Sequence, residues 1–110
     1  MSTIADADFG MAVVSAPADA AEEIARQVVA RRLAACAQVS SPVSSTYWWR
    51  GRVESAPERL IVLKTRRSLV ARVEELLRQV HPYEVPELTF LPITAGGETY
   101  LAWLRETLAP

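Results

Sequence analysis

The stretch Ala35-Cys-Ala-Gln-Val-Ser-Ser-Pro-Val-Ser-Ser-Thr-Tyr-Trp-Trp49 decides how this chain is read. Ala35, Ala37, Val39, Val43, Ser45, Tyr47 and Trp49 alternate with Cys36, Gln38, Ser44, Thr46 and Trp48. A period of two in a run rich in Ser, Thr, Val and aromatics marks one long strand. Ser41-Pro42 bends or bulges it, because proline donates no ladder hydrogen bond. Arg50-Gly51 makes the turn. A return strand runs from Arg52, is interrupted near Ala56-Pro57, and continues through Arg59-Leu-Ile-Val-Leu-Lys-Thr65.

Upstream, Phe9-Gly-Met-Ala-Val-Val-Ser15 is short and apolar and reads as a buried strand ending at Pro17. Asp19, three residues before Glu22, then sets up a capping box. Ala21, Ile24, Ala25, Val28 and Val29 recur at helical spacing opposite Glu22, Glu23, Arg26 and Arg31, with Arg31 and Arg32 in the last turn. Downstream, Ser68 reads as the N-cap of a second helix carrying Leu69, Val70, Val73, Leu76, Leu77 and Val80, which Pro82 ends. Val85 to Leu91 reads as a fourth strand, bounded by Pro86 and Pro92. Gly96-Gly97 makes a loop, and Tyr100, Leu101, Leu104 and Leu108 form a terminal helix.

The order β-α-β-β-α-β, then α, places the chain in the α+β class. It predicts a ferredoxin-like sandwich with an additional C-terminal helix and a long central β-hairpin. Both helices then cover one sheet face, and the other face needs a cover. Residues 1–8 are expected to be a flexible N-terminal tail and 9–110 a single domain. Strands of roughly 14 residues reach about 46 Å, against a radius of gyration near ~13 Å for a compact chain of this size. The hairpin must therefore bend at Pro42 and Pro57 or project. A projecting pair of strands tipped with Tyr47, Trp48 and Trp49 predicts a homo-oligomer.

Half of the 110 residues are apolar and 23% are charged, with Gly 4 and Pro 7, which excludes a disordered or collagen-like chain. Twelve basic against 13 acidic residues leave a net charge of −1, unlike a nucleic-acid binder. One cysteine makes no internal disulfide or Cys-rich zinc site, and the single histidine, His81, makes no His pair. The longest aliphatic run, Leu60 to Leu63, falls far short of the ~20 residues that span a bilayer. With no basic region and apolar stretch after Met1 either, the expected location is cytoplasmic, without a membrane partner. The chain has no phosphate-binding glycine loop and no Gly-x-Ser-x-Gly.

The densest group of chemically capable residues is His81-Pro-Tyr-Glu-Val-Pro-Glu87, between a helix end and a strand. On one reading His81 is a metal ligand or proton acceptor, with Glu84 or Glu87 completing a small site. On the other, His81 bonds the last helix carbonyls, Pro82 stops the helix and the carboxylates are solvated. Cys36 is either a small buried hydrophobe or a soft thiolate ligand for copper or zinc. So few ligands make a metal site only when an oligomer brings one from each chain to a shared axis or cleft. Trp48, Trp49, Trp103, Tyr47 and Tyr100 suit subunit interfaces more than ligand platforms. Lys64, Arg66 and Arg67 beside Ser68 offer an anion site at a helix start, or are solvated. Enzymatic acid–base work by His81 or Tyr83 lacks an activated nucleophile, so no catalysis is expected.

Leu33-Ala-Ala-Cys-Ala37, Tyr47-Trp-Trp-Arg-Gly51, Leu63-Lys-Thr65, His81-Pro-Tyr-Glu-Val-Pro-Glu87 and Tyr100-Leu-Ala-Trp-Leu104 resemble, in order and spacing, the CutA divalent-cation tolerance family. The resemblance covers about Phe9 to Leu108. It implies a trimer built through the long hairpin strands, a role in tolerance of copper and other divalent metal ions, and no established reaction. It also implies a likeness in plan to the PII signalling proteins, which bind small ligands in clefts between subunits. Carried onto this chain, it implies Cys36, His81, Glu84 and Glu87 as metal candidates and Trp49, Lys64 and Tyr83 as ligand-cleft candidates. No obligatory cofactor is implied; Cu(II) or Zn(II) are the ions expected.

Overall fold

The computed structural model describes residues 2–4 and 8–110. The elements run β1 (Ser2–Ile4), β2 (Phe9–Ala16), α1 (Ala18–Ala30), β3 (Cys36–Val39), β4 (Val43–Trp49), β5 (Arg52–Arg66), a 3-10 turn (Arg67–Leu69), α2 (Val70–Val80), β6 (Thr89–Pro92), β7 (Ala95–Gly97) and α3 (Glu98–Thr107). The main sheet is antiparallel with strand order β3-β5-β2-β6, and β4 extends it as a second partner of β5. This is the expected ferredoxin-like α+β arrangement with a long hairpin and a closing helix.

Alternation along the strands sorts the two faces. Ala12 pairs with Leu63 and Val14 with Ile61, so these side chains share one side. They join Ile24 and Val28 of α1 and Val73, Leu76 and Leu77 of α2 in a single buried core. The opposite side, away from α1 and α2, presents the pairs Met11–Lys64, Val13–Val62, Cys36–Lys64 and Gln38–Val62. Met11, Val13 and Val62 are only half-buried there. At one end of this open face Phe9 is buried, with Arg66 and Arg105 guanidinium carbons 4.9 and 5.5 Å from its ring centroid.

The hairpin projects. Its arm gives the molecule a longest extent of 46 Å and a radius of gyration of 14.7 Å. A β-bulge sits where the sequence places it. Val39 pairs with Ile61 but Val43 with Glu58, so Ser40 to Pro42 face one residue fewer, Arg59 and Leu60. Ser40 repairs the ladder there: its N–H donates to Leu60 O at 2.9 Å and its Oγ accepts the Leu60 N–H at 2.9 Å. The expected interruption near Ala56-Pro57 does not occur; β5 is continuous through Pro57, which pairs with Ser44. β2 pairs with β5 only as far as Arg59, so along the arm β5 has β4 as its neighbour and a missing proline donor is tolerated.

Several local expectations are corrected. α1 begins behind Pro17, whose carbonyl accepts from the N–H groups of Ala20 and Ala21. Asp19 makes no cap and simply lies in the first turn. The last-turn arginines fall outside the helix, since Arg31 is its C-cap and Arg32 turns left-handed at φ 59°. The fourth strand is shorter than expected: Val85 to Leu88 stay irregular and β6 covers only Thr89–Pro92. Pro86 cannot serve a ladder, and the segment before it is held elsewhere by side chains.

Ser68 is not an N-cap either; it lies in the 3-10 turn before α2. Asp8 supplies the cap instead, its Oδ1 accepting the Ser68 N–H at 3.1 Å and its Oδ2 the Ser68 hydroxyl at 2.7 Å. That hydroxyl bond, more than the nearby Arg66 charge, holds the Asp8 carboxyl below its ordinary range. Residues 1–8 are therefore not wholly a loose tail. Ser2–Ile4 pairs antiparallel with Ala95–Gly97, turning the expected Gly96-Gly97 loop into a strand, and Asp8 is anchored. Met1 and residues 5–7 lie outside the described residues.

Candidate functional site

A cleft of about 840 Å³ opens where the arm leaves the sheet. One wall is β4, presenting Ser45, Tyr47 and Trp49; the other is the irregular segment Pro82 to Glu87, with Glu58 and Ser15 at the base. Local sequence explains both walls. The bulge at Ser40 to Pro42 carries β4 away from the sheet, and the two prolines Pro82 and Pro86 keep the segment after α2 out of strand pairing.

His81 anchors that second wall. It is the C-cap of α2, and its backbone N–H donates to Leu77 O at 2.9 Å. Its ring is buried and bonded on both sides, at 2.8 Å to Ser15 O through Nε2 and at 3.1 Å to the Tyr83 N–H through Nδ1. The carbonyl can only accept and the amide can only donate. The ring hydrogen therefore belongs on Nε2, and Nδ1 has its lone pair engaged. The side chain thereby ties β2 to the segment beyond α2.

Tyr83, placed by His81 with the two rings tilted at 56° and their centroids 4.8 Å apart, donates its hydroxyl to Glu58 Oε2 at 2.7 Å. Glu58 is only 6% exposed, and pattern reading passed over it. No motif marks it; it stands two positions before the apolar run Leu60 to Leu63, beside Arg59, which is held by Ser40 O at 2.7 Å and Glu22 at 3.4 Å. Burial first, then the bond and charge of Glu58, push the Tyr83 hydroxyl up to about 12. A hydroxyl so weakly acidic is a poor proton donor at neutral pH, and the neutral His81 ring is already engaged.

The sign of that shift gives a measurable consequence. Because the folded value lies above the ordinary 10.0, the native state favours protonated Tyr83. Its contribution is fully present below pH ~10 and is lost as pH rises toward ~12. A phenolate absorbance titration is expected to show a step near pH 12 that Tyr83→Phe removes. A Tyr83→Phe protein with an unchanged titration would exclude the Glu58 contact.

The other candidates lie apart. Glu84 and Glu87 line the cleft, but both are exposed, and Glu84 pairs with Arg50 at 3.2 Å. Arg50 lies 5.3 Å from the ring centroid of Trp49, so the arm tip and the Pro82 segment are linked across the cleft mouth. Lys64 is not in the cleft; it donates to Gln38 Oε1 at 3.1 Å and pairs with Cys36. Glu58 is six residues further along β5 from Lys64, about 20 Å at strand rise. Cys36 is half-buried beside Tyr100, whose hydroxyl is raised by burial and then by the Cys36 charge. Among the described residues no three His, Cys, Asp or Glu side chains converge as a metal centre. The anion site expected of Arg66 and Arg67 is likewise taken, since Asp8 occupies the helix start and lies 3.6 Å from Arg66.

Residues 11–107 match the family profile described as CutA1 divalent ion tolerance protein. Protein CutA of Homo sapiens is 45% identical over 86 residues, covering 78% of this chain and 48% of the human sequence. The divalent-cation tolerance protein CutA of an Escherichia coli strain is 41% identical over 95 residues, covering 86% of this chain and 85% of its own. This chain thus spans about half the length of the human relative but most of the bacterial one. Among solved structures, the divalent cation tolerance protein of Thermus thermophilus superposes with TM-score 0.88 at 35% identity, covering 92% of this chain and 99% of that one. CutA1 of Oryza sativa gives TM-score 0.89 at 34% identity, over 93% and 94% of the two chains.

Proposed function

Since the chain belongs to the CutA1 divalent ion tolerance family, we propose that it serves the response to divalent metal ions as a homotrimer without catalytic activity. The observation that carries this reading is the unfinished surface of one protomer. One sheet face lies away from α1 and α2, with Met11, Val13 and Val62 half-buried on it, and the arm holds Trp48 at 74% exposure and Val53 at 59%, paired with each other. Apolar surface of this kind on a projecting strand pair is removed from water when copies pack together.

Copper or zinc would then be bound weakly, at sites completed where copies meet. Cys36, His81, Glu84 and Glu87 do not converge within one chain, and His81 would have to release the Tyr83 amide before ligating. We place the protein in the cytoplasm with its lone Cys36 thiol reduced, although relatives include a chloroplastic protein of Arabidopsis thaliana and one named periplasmic in Archaeoglobus fulgidus. No helix among the described residues is long and apolar enough to cross a membrane. The test is light scattering followed by calorimetry with Cu(II). The expected result is the mass of three chains and saturable copper binding; a single-chain mass at micromolar concentration removes the reading.

A second reading is favoured by the cleft itself. Its aromatic wall, and its opening at the base of an arm that meets other copies in a trimer, fit a small-ligand module like the PII proteins. A thermal-shift screen in which no small molecule raises the melting temperature would count against it.

A further inference from the structure

The charge of the cleft specifies its ligand, an inference that rests on the small-ligand reading. Three carboxylates, Glu58, Glu84 and Glu87, line it, and no lysine or arginine does. Glu87 is solvated and Glu84 is met by Arg50 at 3.2 Å at the mouth, so neither fixes a position inside. Glu58 is different. It is 6% exposed, no Lys, Arg or His of the described residues forms an ion pair with it, and its one hydrogen bond is the Tyr83 hydroxyl on Oε2. No other hydrogen bond to this carboxylate is made by the described residues, and Glu58 lines the cleft. A cation seated on Oε1 would give this carboxylate the counter-charge that the described residues do not supply.

The walls decide which kind of cation. A bare metal ion needs several converging oxygen, nitrogen or sulfur ligands, and no such group exists among the described residues. Beside Glu58 the cleft offers Tyr83, bonded to it, and Tyr47 of the β4 wall, whose ring faces attract a poorly hydrated positive charge carried on carbon or nitrogen; Trp49, further out at the mouth, is already met by Arg50. Tyr83 also orients the carboxylate, occupying one oxygen and leaving the other for the ligand. We propose that this cleft binds a small organic cation, its ammonium or guanidinium head on Glu58 and its body against Tyr47 and Tyr83.

Calorimetry on the full chain with choline, agmatine, glutarate and magnesium chloride at matched ionic strength tests this. Choline or agmatine is expected to bind saturably, once per chain. Glu58→Gln, which can still accept from Tyr83, is expected to weaken binding roughly tenfold or more. Dimethylbutanol, the neutral carbon isostere of choline, reads the charge on the unaltered protein and decides the matter if Glu58→Gln does not fold. Equal binding of the isostere and choline overturns the proposal, as does binding unaffected by a folded Glu58→Gln. Binding of glutarate alone overturns the charge assignment and leaves the small-ligand reading standing. Binding of none of the organic probes overturns both, and magnesium binding alone returns the cleft to metal. A crystal structure of the assembly with an arginine or lysine of a second copy on Glu58 Oε1 also overturns it.

Discussion

Gly10→Ala is expected to lower folding stability by about 3 kcal/mol, an overpacking cost at the upper end of the usual range. Gly10 is buried in the central strand, and the Phe90 ring of the neighbouring edge strand lies directly over it. A Cβ there would collide with the Phe90 ring and come within 2.5 Å of the Leu91 carbonyl oxygen. The ring can swing away; the carbonyl belongs to the backbone, so β6 must separate from β2. A loss of this size should depress the melting temperature by about 10 °C or more, read at matched chain concentration. Adding Phe90→Ala should restore only part of it, because the Leu91 contact remains. An unshifted transition would mean that β6 does not lie against Gly10.

Val62→Asp is expected to convert the proposed trimer to single chains. Val62 stands at the middle of the uncovered sheet face, opposite Val13 on one side and Gln38 on the other. Being half-buried in the protomer, it can hold a solvated carboxylate there without disturbing the core beneath α1 and α2. Between packed copies the same carboxylates would be buried close to one another, and each would lack a partner. Light scattering should return a one-chain mass with the circular dichroism of the folded protomer retained. A mass unchanged from the parent would move the contact elsewhere, to the arm around Trp48.

Much of the architecture was legible along the chain because it depends on period. The switch from 3.6 to two at Ala35, the bulge at Ser41-Pro42 and the turn at Arg50-Gly51 are local steric events. Errors gathered where a local signal had a competitor from elsewhere in the chain. Ser68 looks like a cap until Asp8, sixty positions away, takes that task. Gly96-Gly97 looks like a loop until Ser2–Ile4 pairs with it. Pro57 looks like a strand break, but the register leaves it on a stretch of β5 with one neighbour.

The candidate site divides the same way. His81 and Tyr83 stand out because prolines and a histidine cluster in seven residues, and the cleft does form around them. Cys36 and Lys64 carry equally suggestive chemistry, yet the register of β3 against β5 sets them about 20 Å along the strand from Glu58. Glu58 gave no motif at all, since its importance comes from being buried beneath a tyrosine that arrives from the far end of α2.

Residue order alone was enough for the element types, the long hairpin and the exposed aromatic arm, because each follows from side-chain period and proline sterics within a few neighbours. Which side chains meet was settled only in three dimensions. The His81 ring meets Ser15 O and the Tyr83 amide, and the Tyr83 hydroxyl meets Glu58 at the cleft. Hydrogen-bond satisfaction and burial depend on contacts between residues far apart in the chain, and such contacts leave no local pattern to read.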